Sequence, residues 1–505
     1  MKRLQIERPL LIVTVSILTS CNGGTGGRFP ETSGNIPGPA ATASTPGSED
    51  GQWLTPAKDY ASTRFSQLDQ LTTSNVSSLK PAWSFSTGLN RGHEAAPIVV
   101  KDTMYITTPF PNYLYALDLN KPGTMKWVYK PGPSPSAQGV ACCDVVNRGA
   151  AYYNGRIYYN TLDNHTVAVD AITGKEVWKT LLGDINKGES MTMAPLVAKG
   201  RVFVGNSGGE FGIRGWLSGL DADSGKIIWR GYCCGPDRDV LIGPNFKPFY
   251  QADRQANLGQ TTWPNDLWKI GGGGAWGWIS YDPELDLIYY GTSNPGPWNS
   301  EQRPGDNKWT ASIFARRPDT GEAIWAYQYS PHDTFDYDAV NENVLLDLNI
   351  KGKVRKTLIH PDRNGFMYVI DRQTGEVISA GTYGYTNTAT GVDLKTGRPQ
   401  MVHKKRRGLA ESCATSARPL RAQKTGSPWR TRSTRACSTS RTTTCAWKRR
   451  AWRRTTLRER RTSEPTFVCT RAPAVIAASS QHGIRWPAKL SGSLRRSSLS
   501  GAEHL

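Results

Sequence analysis

The chain has 505 residues and a formal net charge of +20, with 51 glycines, 17 tryptophans and 20 tyrosines. That length allows one large domain or two to three ordinary ones, and the glycine and aromatic content suggests a turn-rich β protein. The charge is not spread evenly. Residues 404–505 hold 24 Lys and Arg against 4 Asp and Glu, so the other 403 residues carry 38 of each sign and net to zero. A body without spare positive charge excludes a phosphate-binding groove, and with it a nucleic-acid partner.

Residues 1–21 read as an export signal, with Lys2 and Arg3 ahead of the apolar run Pro9–Leu18. The run is too short to span a bilayer. It ends Leu18-Thr19-Ser20-Cys21, which resembles the lipobox of bacterial lipoproteins and implies a lipid on Cys21. An ordinary signal with an incidental cysteine is the plainer alternative. Either reading sends the protein to the periplasm, an oxidising compartment, and a lipid at Cys21 would be its only attachment to the membrane. Residues 22–51, rich in Gly, Ser, Thr and Pro, form a flexible tether.

From residue 52 to 402 short alternating segments are separated by Gly, Asn and Asp turns, and a repeat emerges. It runs Ala116-Leu117-Asp118 to Gly123 and Trp127, then Ala168-Val169-Asp170 to Gly174 and Trp178. Further copies are Gly219-Leu220-Asp221 to Gly225 and Trp229, and Ala315 through Asp319 and Gly321 to Trp325. A weaker copy, Val369-Ile370-Asp371 to Gly375, has Ser379 near the tryptophan position. The tryptophans stand 51, 51 and 96 residues apart, the last interval close to two periods. Each copy reads strand, Asp-x-x-x-Gly turn, strand ending in an aromatic. A repeating unit of this size predicts four-stranded propeller blades, and its apolar spacing excludes a helical solenoid. About six blades are expected, in an all-β fold.

Several unusual stretches interrupt the frame. Cys142 and Cys143 are neighbours, either a vicinal disulfide or two free buried thiols, and a second neighbouring pair, Cys233-Cys234, shows that adjacency alone does not decide. Ser207-Gly208-Gly209-Glu210 is either a surface turn or a close backbone approach to a ligand, with Glu210 free to ligate a metal. Trp276, after Gly271–Gly274, is either blade packing or a stacking floor for an aromatic group. Asn294 offers an amide oxygen at a turn, and Arg363 offers a bidentate grip on an anion. Asp336 and Asp338 stand two apart, so an extended segment puts both carboxylates on one side. They repel unless something positive sits between them; a hard cation satisfies that, and a solvated acidic loop is the plainer account.

Taken together and in this order, these residues resemble the pyrroloquinoline-quinone (PQQ) dependent alcohol dehydrogenases, and within them the methanol dehydrogenase branch. The resemblance covers about residues 52–402. It includes Arg91-Gly92-His93-Glu94, Cys142 to Arg148, Gly208 to Gly212, Trp276-Gly277-Trp278, Arg303-Pro304-Gly305-Asp306-Asn307-Lys308-Trp309 and Pro331-His332-Asp333. It implies an eight-bladed propeller, here incomplete, with PQQ on its axis. By the resemblance, Cys142 and Cys143 form a disulfide over one face of PQQ and Trp276 lies beneath the other. Glu94, Arg148, Thr192, Ser207, Gly208, Gly209 and Arg363 match positions that hold the cofactor. Glu210, Asn294 and Asp336 match the metal set, and Asp336 also matches the catalytic base. Asp338 matches the lanthanide-using branch, where a third carboxylate suits a lanthanide(III) ion better than Ca2+. The implied reaction is oxidation of a small primary alcohol such as methanol, with electrons passed to a cytochrome c; a homodimer is compatible with it.

The resemblance stops near Met401. Residues 404–505 contain no Asp, Asn or Tyr, yet hold 19 Arg and four cysteines, Cys413, Cys437, Cys445 and Cys469. Such a blend reads as out-of-frame translation of a GC-rich gene, so 403–505 is expected to be a non-homologous basic tail. Two alternatives follow: an inactive truncated member of the family, or a non-catalytic propeller lipoprotein scaffold.

Overall fold

The computed structural model describes residues 51–402 and, at the level of backbone, one strand at Thr466–Thr470. The export signal with Cys21, the tether up to residue 50 and the rest of the 403–505 tail lie outside the described residues. After strand β1 (Pro81–Ser86) come five four-stranded antiparallel meanders. They are β2–β5 (Ile98–Val100, Thr103–Thr107, Leu114–Asp118, Thr124–Tyr129) and β6–β9 (Ala150–Tyr153, Arg156–Asn160, His165–Asp170, Glu176–Leu181). Next are β10–β13 (Leu196–Ala198, Arg201–Gly205, Trp216–Asp221, Ile227–Tyr232) and β14–β17 (Ile279–Asp282, Leu287–Gly291, Ser312–Arg316, Ala323–Gln328). The fifth is β18–β21 (Val344–Ile350, Lys353–Pro361, Phe366–Asp371, Val377–Thr382). A two-stranded ribbon follows, β22 (Ala389–Asp393) with β23 (Arg398–Met401), and β24 (Thr466–Thr470) pairs antiparallel with β1. The tail thus contributes one strand to the described fold.

First strands of successive sheets lie side by side, which arranges the sheets as blades of a partial β-propeller. Strands β3, β15 and β16 are buried along their whole length, whereas the fourth strands β5 and β9 are largely exposed. A strand sandwiched between two blades must be apolar on both faces; the outer strand meets water on its rim.

The repeat has a packing reason. In four blades the tryptophan of the fourth strand pairs across to a small residue of the third: Ala116 with Trp127, Ala168 with Trp178, Gly219 with Trp229 and Ala315 with Trp325. Each indole then leans on the turn of the next blade. A Cβ on Gly174, whose φ is +71°, would lie 2.6 Å from the Trp127 ring, so the turn takes glycine both for its left-handed backbone and for room. The same contact recurs between Trp178 and Gly225, Trp229 and Gly321, and Trp325 and Gly375. The four indole nitrogens donate to backbone carbonyls of those turns, at Ala171, Ala222, Pro318 and Arg372. In the fifth blade the sizes are exchanged, with Val369 opposite Ser379. Tyr250 replaces the missing indole there, with its ring against Gly397.

The 96-residue interval between Trp229 and Trp325 holds no extra blade. An insertion fills it, carrying α1 (Asp237–Val240), α2 (Leu258–Thr261) and several single 3-10 turns.

Candidate active site

In an up-and-down blade the connection from second to third strand and the crossover to the next blade leave from the same end. Every candidate residue falls in one of these two kinds of connection. Glu94, Cys142, Cys143, Arg148, Thr192, Trp276, Asp336 and Asp338 lie on crossovers, and Ser207 to Glu210, Asn294 and Arg363 lie between second and third strands. The Asp-x-x-x-Gly turns occupy the opposite end. Topology therefore gathers the candidates on one face.

Arg148 is the centre of the first cluster. Its Nη1 donates to Thr192 Oγ1 at 2.8 Å, and its Nη2 lies 3.2 Å from Glu94 Oε2. Its guanidinium carbon stands 4.8 Å from the centre of the Trp276 ring. Thr192 Oγ1 in turn lies 3.1 Å from Ser207 Oγ. Burial pulls the Arg148 guanidinium down, while the Glu94 and Asp338 charges support it, which ties this cluster electrostatically to the next. Cys142 and Cys143 are exposed on the same crossover, their sulfurs 2.24 Å apart. Cys233 and Cys234 are free and buried.

Gly208, with φ +118°, packs so closely that a Cβ would fall 2.1 Å from the Gly188 carbonyl oxygen. This turn carries Gly209 against the Asn294 side chain, where a Cβ would lie 3.7 Å from Oδ1, and leaves Glu210 exposed.

The second cluster is acidic. Asp338 is 5% exposed; Oδ1 accepts the Asn294 backbone N–H at 3.0 Å and Oδ2 is ion-paired with Arg363 Nη1. Asp336 adopts φ +66°, a left-handed conformation uncommon for a side-chain-bearing residue. Asp333 holds it there: its two carboxylate oxygens accept the N–H of Phe335 at 2.9 Å and of Tyr337 at 2.8 Å. Asp336 Oδ1 is buried without a hydrogen-bond partner.

The electrostatics follow. Burial pushes the Asp336 carboxyl up to about 6; Arg363 opposes the rise, while Asp333 and Glu210 add to it. Burial pushes Asp338 up to about 7, with Asp336 and Glu210 adding and Arg363 and the Asn294 N–H opposing. Among the described residues no three His, Cys, Asp or Glu side chains close on a common point tightly enough to hold a metal ion. Glu210 acts on both aspartates through charge, and Arg363 sits on Asp338.

The residues nevertheless fit a hard cation. One buried carboxylate oxygen has no donor, and two carboxylates are raised by burial and by neighbouring negative charge, Glu210 acting on both. The Asn294 amide can face Asp338 in either sense. With nitrogen inward it donates to Asp338 Oδ1 at 3.2 Å while its oxygen accepts from Trp298 Nε1 at 3.1 Å; with oxygen inward, two oxygens face each other and call for a positive charge between them. Glu210, Asn294, Asp336 and Asp338 would hold such an ion. Asp333, Trp298 and Arg303 were not among the expected site residues. Asp333 and Arg303 stand in quoted motifs, but nothing in a linear sequence states which backbone groups they hold.

The family model of the PQQ glucose/ethanol/alcohol dehydrogenase β-propeller domain matches residues 53–380. The chain is 54% identical over 360 residues to the lanthanide-dependent methanol dehydrogenase of Methylacidiphilum fumariolicum (strain SolV), covering 71% of this chain and 59% of that protein. It is 49% identical over 358 residues to methanol dehydrogenase (cytochrome c) subunit 1 of Methylobacterium organophilum, covering 69% of this chain and 57% of that protein. Among solved structures a europium-containing methanol dehydrogenase superposes with a TM-score of 0.70 at 53% identity, covering 72% of this chain and 63% of that one. The chain thus spans less than two thirds of the length of these relatives. The matched region takes in the propeller and the connections that carry the candidate site, and the chain belongs to the family of PQQ β-propeller alcohol dehydrogenases.

Proposed function

We propose that this propeller oxidises a small primary alcohol, methanol or a near relative, to its aldehyde with PQQ as the two-electron acceptor. The observation that carries the reading is the buried, unpartnered Asp336 Oδ1 beside Asp338 and Asn294. PQQ would supply the carbonyl that takes the hydride, and a hard cation beside it would draw electron density from that carbonyl. Asp336 accepts the hydroxyl proton at Oδ1, and a carboxyl raised to about 6 is ionised at neutral pH yet basic enough to do so. Arg148, held by Glu94 and Thr192, provides charge for the cofactor's carboxylates, with Ser207, Gly208 and Gly209 lining the approach. The Cys142–Cys143 pair and Trp276 would provide the flat surfaces against which a planar cofactor is held.

Three carboxylates, Glu210, Asp336 and Asp338, favour a lanthanide(III) ion over Ca2+ on charge count. The relatives' names favour the same metal class and a cytochrome c as electron acceptor. A non-catalytic scaffold does not account for an unpartnered carboxylate oxygen beside a second buried, raised carboxylate. We place the protein in the periplasm, anchored through Cys21; Cys21→Ser should then move it from the detergent phase to the aqueous phase. The function is tested by titrating purified protein with PQQ plus La3+ or Ca2+. A shift of the quinone absorbance and dye-linked methanol oxidation, stronger with La3+, are expected; neither change with either metal overturns it.

A second reading concerns the tail. Its composition, 19 Arg with no Asp, Asn or Tyr, favours an out-of-frame origin for residues beyond about 403. Restoring the frame near codon 402 should then extend the Asp-x-x-x-Gly and tryptophan repeat and raise PQQ binding. A nucleotide sequence with no such alternative frame excludes it.

A further inference from the structure

Arg303 is 2% exposed, and among the described residues its bonded acceptors are two carbonyls and an amide oxygen rather than a carboxylate. Its Nε donates to the Pro297 carbonyl at 2.8 Å, its Nη1 to Asn307 Oδ1 at 2.8 Å, and its Nη2 to the Asp333 carbonyl at 2.6 Å. Burying a guanidinium is costly unless its donors are satisfied by well-aligned acceptors. Here those acceptors lie on two different connections. Pro297 is three residues beyond Asn294 on the connection from β15 to β16. Asp333 lies on the crossover from β17 to β18, and its carboxylate sets the left-handed backbone of Asp336. A rigid planar fork can hold both connections at a fixed separation, which the single rotating head of a lysine cannot do.

The rest of the motif braces the fork from outside. Asn307 is fully buried and returns a bond from Nδ2 to the Arg303 carbonyl at 3.0 Å. The Asp306 carboxylate accepts from both terminal guanidinium nitrogens of Arg398, on β23, at 2.7 and 2.8 Å. The Asp306 carbonyl accepts the His332 N–H at 3.0 Å, a second tie between the same two connections.

We propose that Arg303 is a positioning residue that fixes the Asn294 turn against the Asp336–Asp338 segment, and so sets the separation of the oxygens that would ligate the cation. This rests on the metal reading given above for the candidate site, and the test separates the two. In the full-length protein, Arg303→Met and Arg303→Lys are compared with the unaltered chain by hydrogen–deuterium exchange and by Tb3+ luminescence excited through tryptophan. Trp298 is the antenna, since its indole nitrogen lies 3.1 Å from the Asn294 amide.

Arg303→Met should speed exchange at least tenfold in peptides spanning 331–342 and 292–300, with the blades β2–β9 unchanged. Its Tb3+ affinity should fall at least tenfold. Arg303→Lys keeps the charge but not the three-way fork, and should fall between. If Arg303→Met does not fold, Arg303→Lys decides by the same local exchange. Exchange that rises uniformly over all blades, or stays unchanged in both peptides, overturns the proposal, as does unaltered Tb3+ affinity. Absence of Tb3+ luminescence from the unaltered chain overturns the metal reading instead, and local exchange then decides the role of Arg303.

Discussion

Asp163 and Asp336 are both aspartates on the same face of the propeller, and their surroundings drive them in opposite directions. Asp163 is 7% exposed, but its oxygens are fully engaged: Oδ1 accepts from Thr161 Oγ1 at 2.5 Å and lies 3.1 Å from His165 Nδ1, and Oδ2 accepts the Ser134 N–H at 2.9 Å. Burial pushes its carboxyl up, but His165, Thr161 and Ser134 outweigh that and hold it down at about 2. Asp336 has one oxygen with no donor and two carboxylates near it, and it rises to about 6. Burial alone does not set the direction in which a carboxylate shifts. Spare valence does: Asp163 has spent its acceptors on the fold, whereas Asp336 is held in a left-handed backbone with an acceptor to spare.

The sharpest way to break this contrast is to remove the spare valence. Asp336→Asn should lower dye-linked alcohol oxidation by about 100- to 10,000-fold with either metal, the range expected for loss of a general base. Its thermal midpoint should hold or rise, because a raised carboxylate is a burden on the folded state near neutral pH. Activity retained within a fewfold would remove Asp336 from the base role.

A smaller effect is expected at Asp338, whose acceptors are shared between Arg363 and the Asn294 N–H. Asp338→Ala should weaken La3+ binding by at least on the order of 10- to 100-fold, the range for losing a partner one shell further from a metal. Ca2+, which needs one carboxylate fewer, should lose far less. Isothermal titration with each metal measures the difference, and equal losses would deny Asp338 a part in metal choice.

The contrast also shows what could be read from the sequence and what could not. The blades were legible because the tryptophan, its small partner and the Asp-x-x-x-Gly turn recur within one strand–turn–strand unit. The turn Asp393 to Gly397 went unnoticed because its aromatic partner is Tyr250, far away in the chain. The 96-residue interval misled for a similar reason: an insertion happens to be nearly one blade long. The resemblance named candidate residues that the topology gathers on one face of the propeller. What Asp333 and Arg303 hold was not legible, because both act on backbone groups of another loop. Nor does any local pattern announce that Asp336, a residue with a Cβ, sits at φ +66°.

The smallest effect belongs to the structural member of the pair. The Asp163 carboxyl lies lower in the folded state, about 2, than its ordinary 3.8. Its stabilisation is therefore in full force above about pH 4 and is lost as pH falls through about 2. The shift corresponds to about 2 kcal/mol at neutral pH. Asp163→Asn turns one acceptor into an amide donor facing Thr161, His165 or the Ser134 N–H, and should cost about that much in urea unfolding at pH 7. The gap between variant and parent should shrink as pH falls towards 2, where the folded parent's carboxyl is about half protonated and that of the unfolded chain almost fully so. Alcohol oxidation per folded molecule should be unchanged at neutral pH, since none of its acceptors faces the Asp336 cluster. A variant as stable as its parent at pH 7, or one that loses turnover with its fold intact, would erase the distinction drawn between the two aspartates.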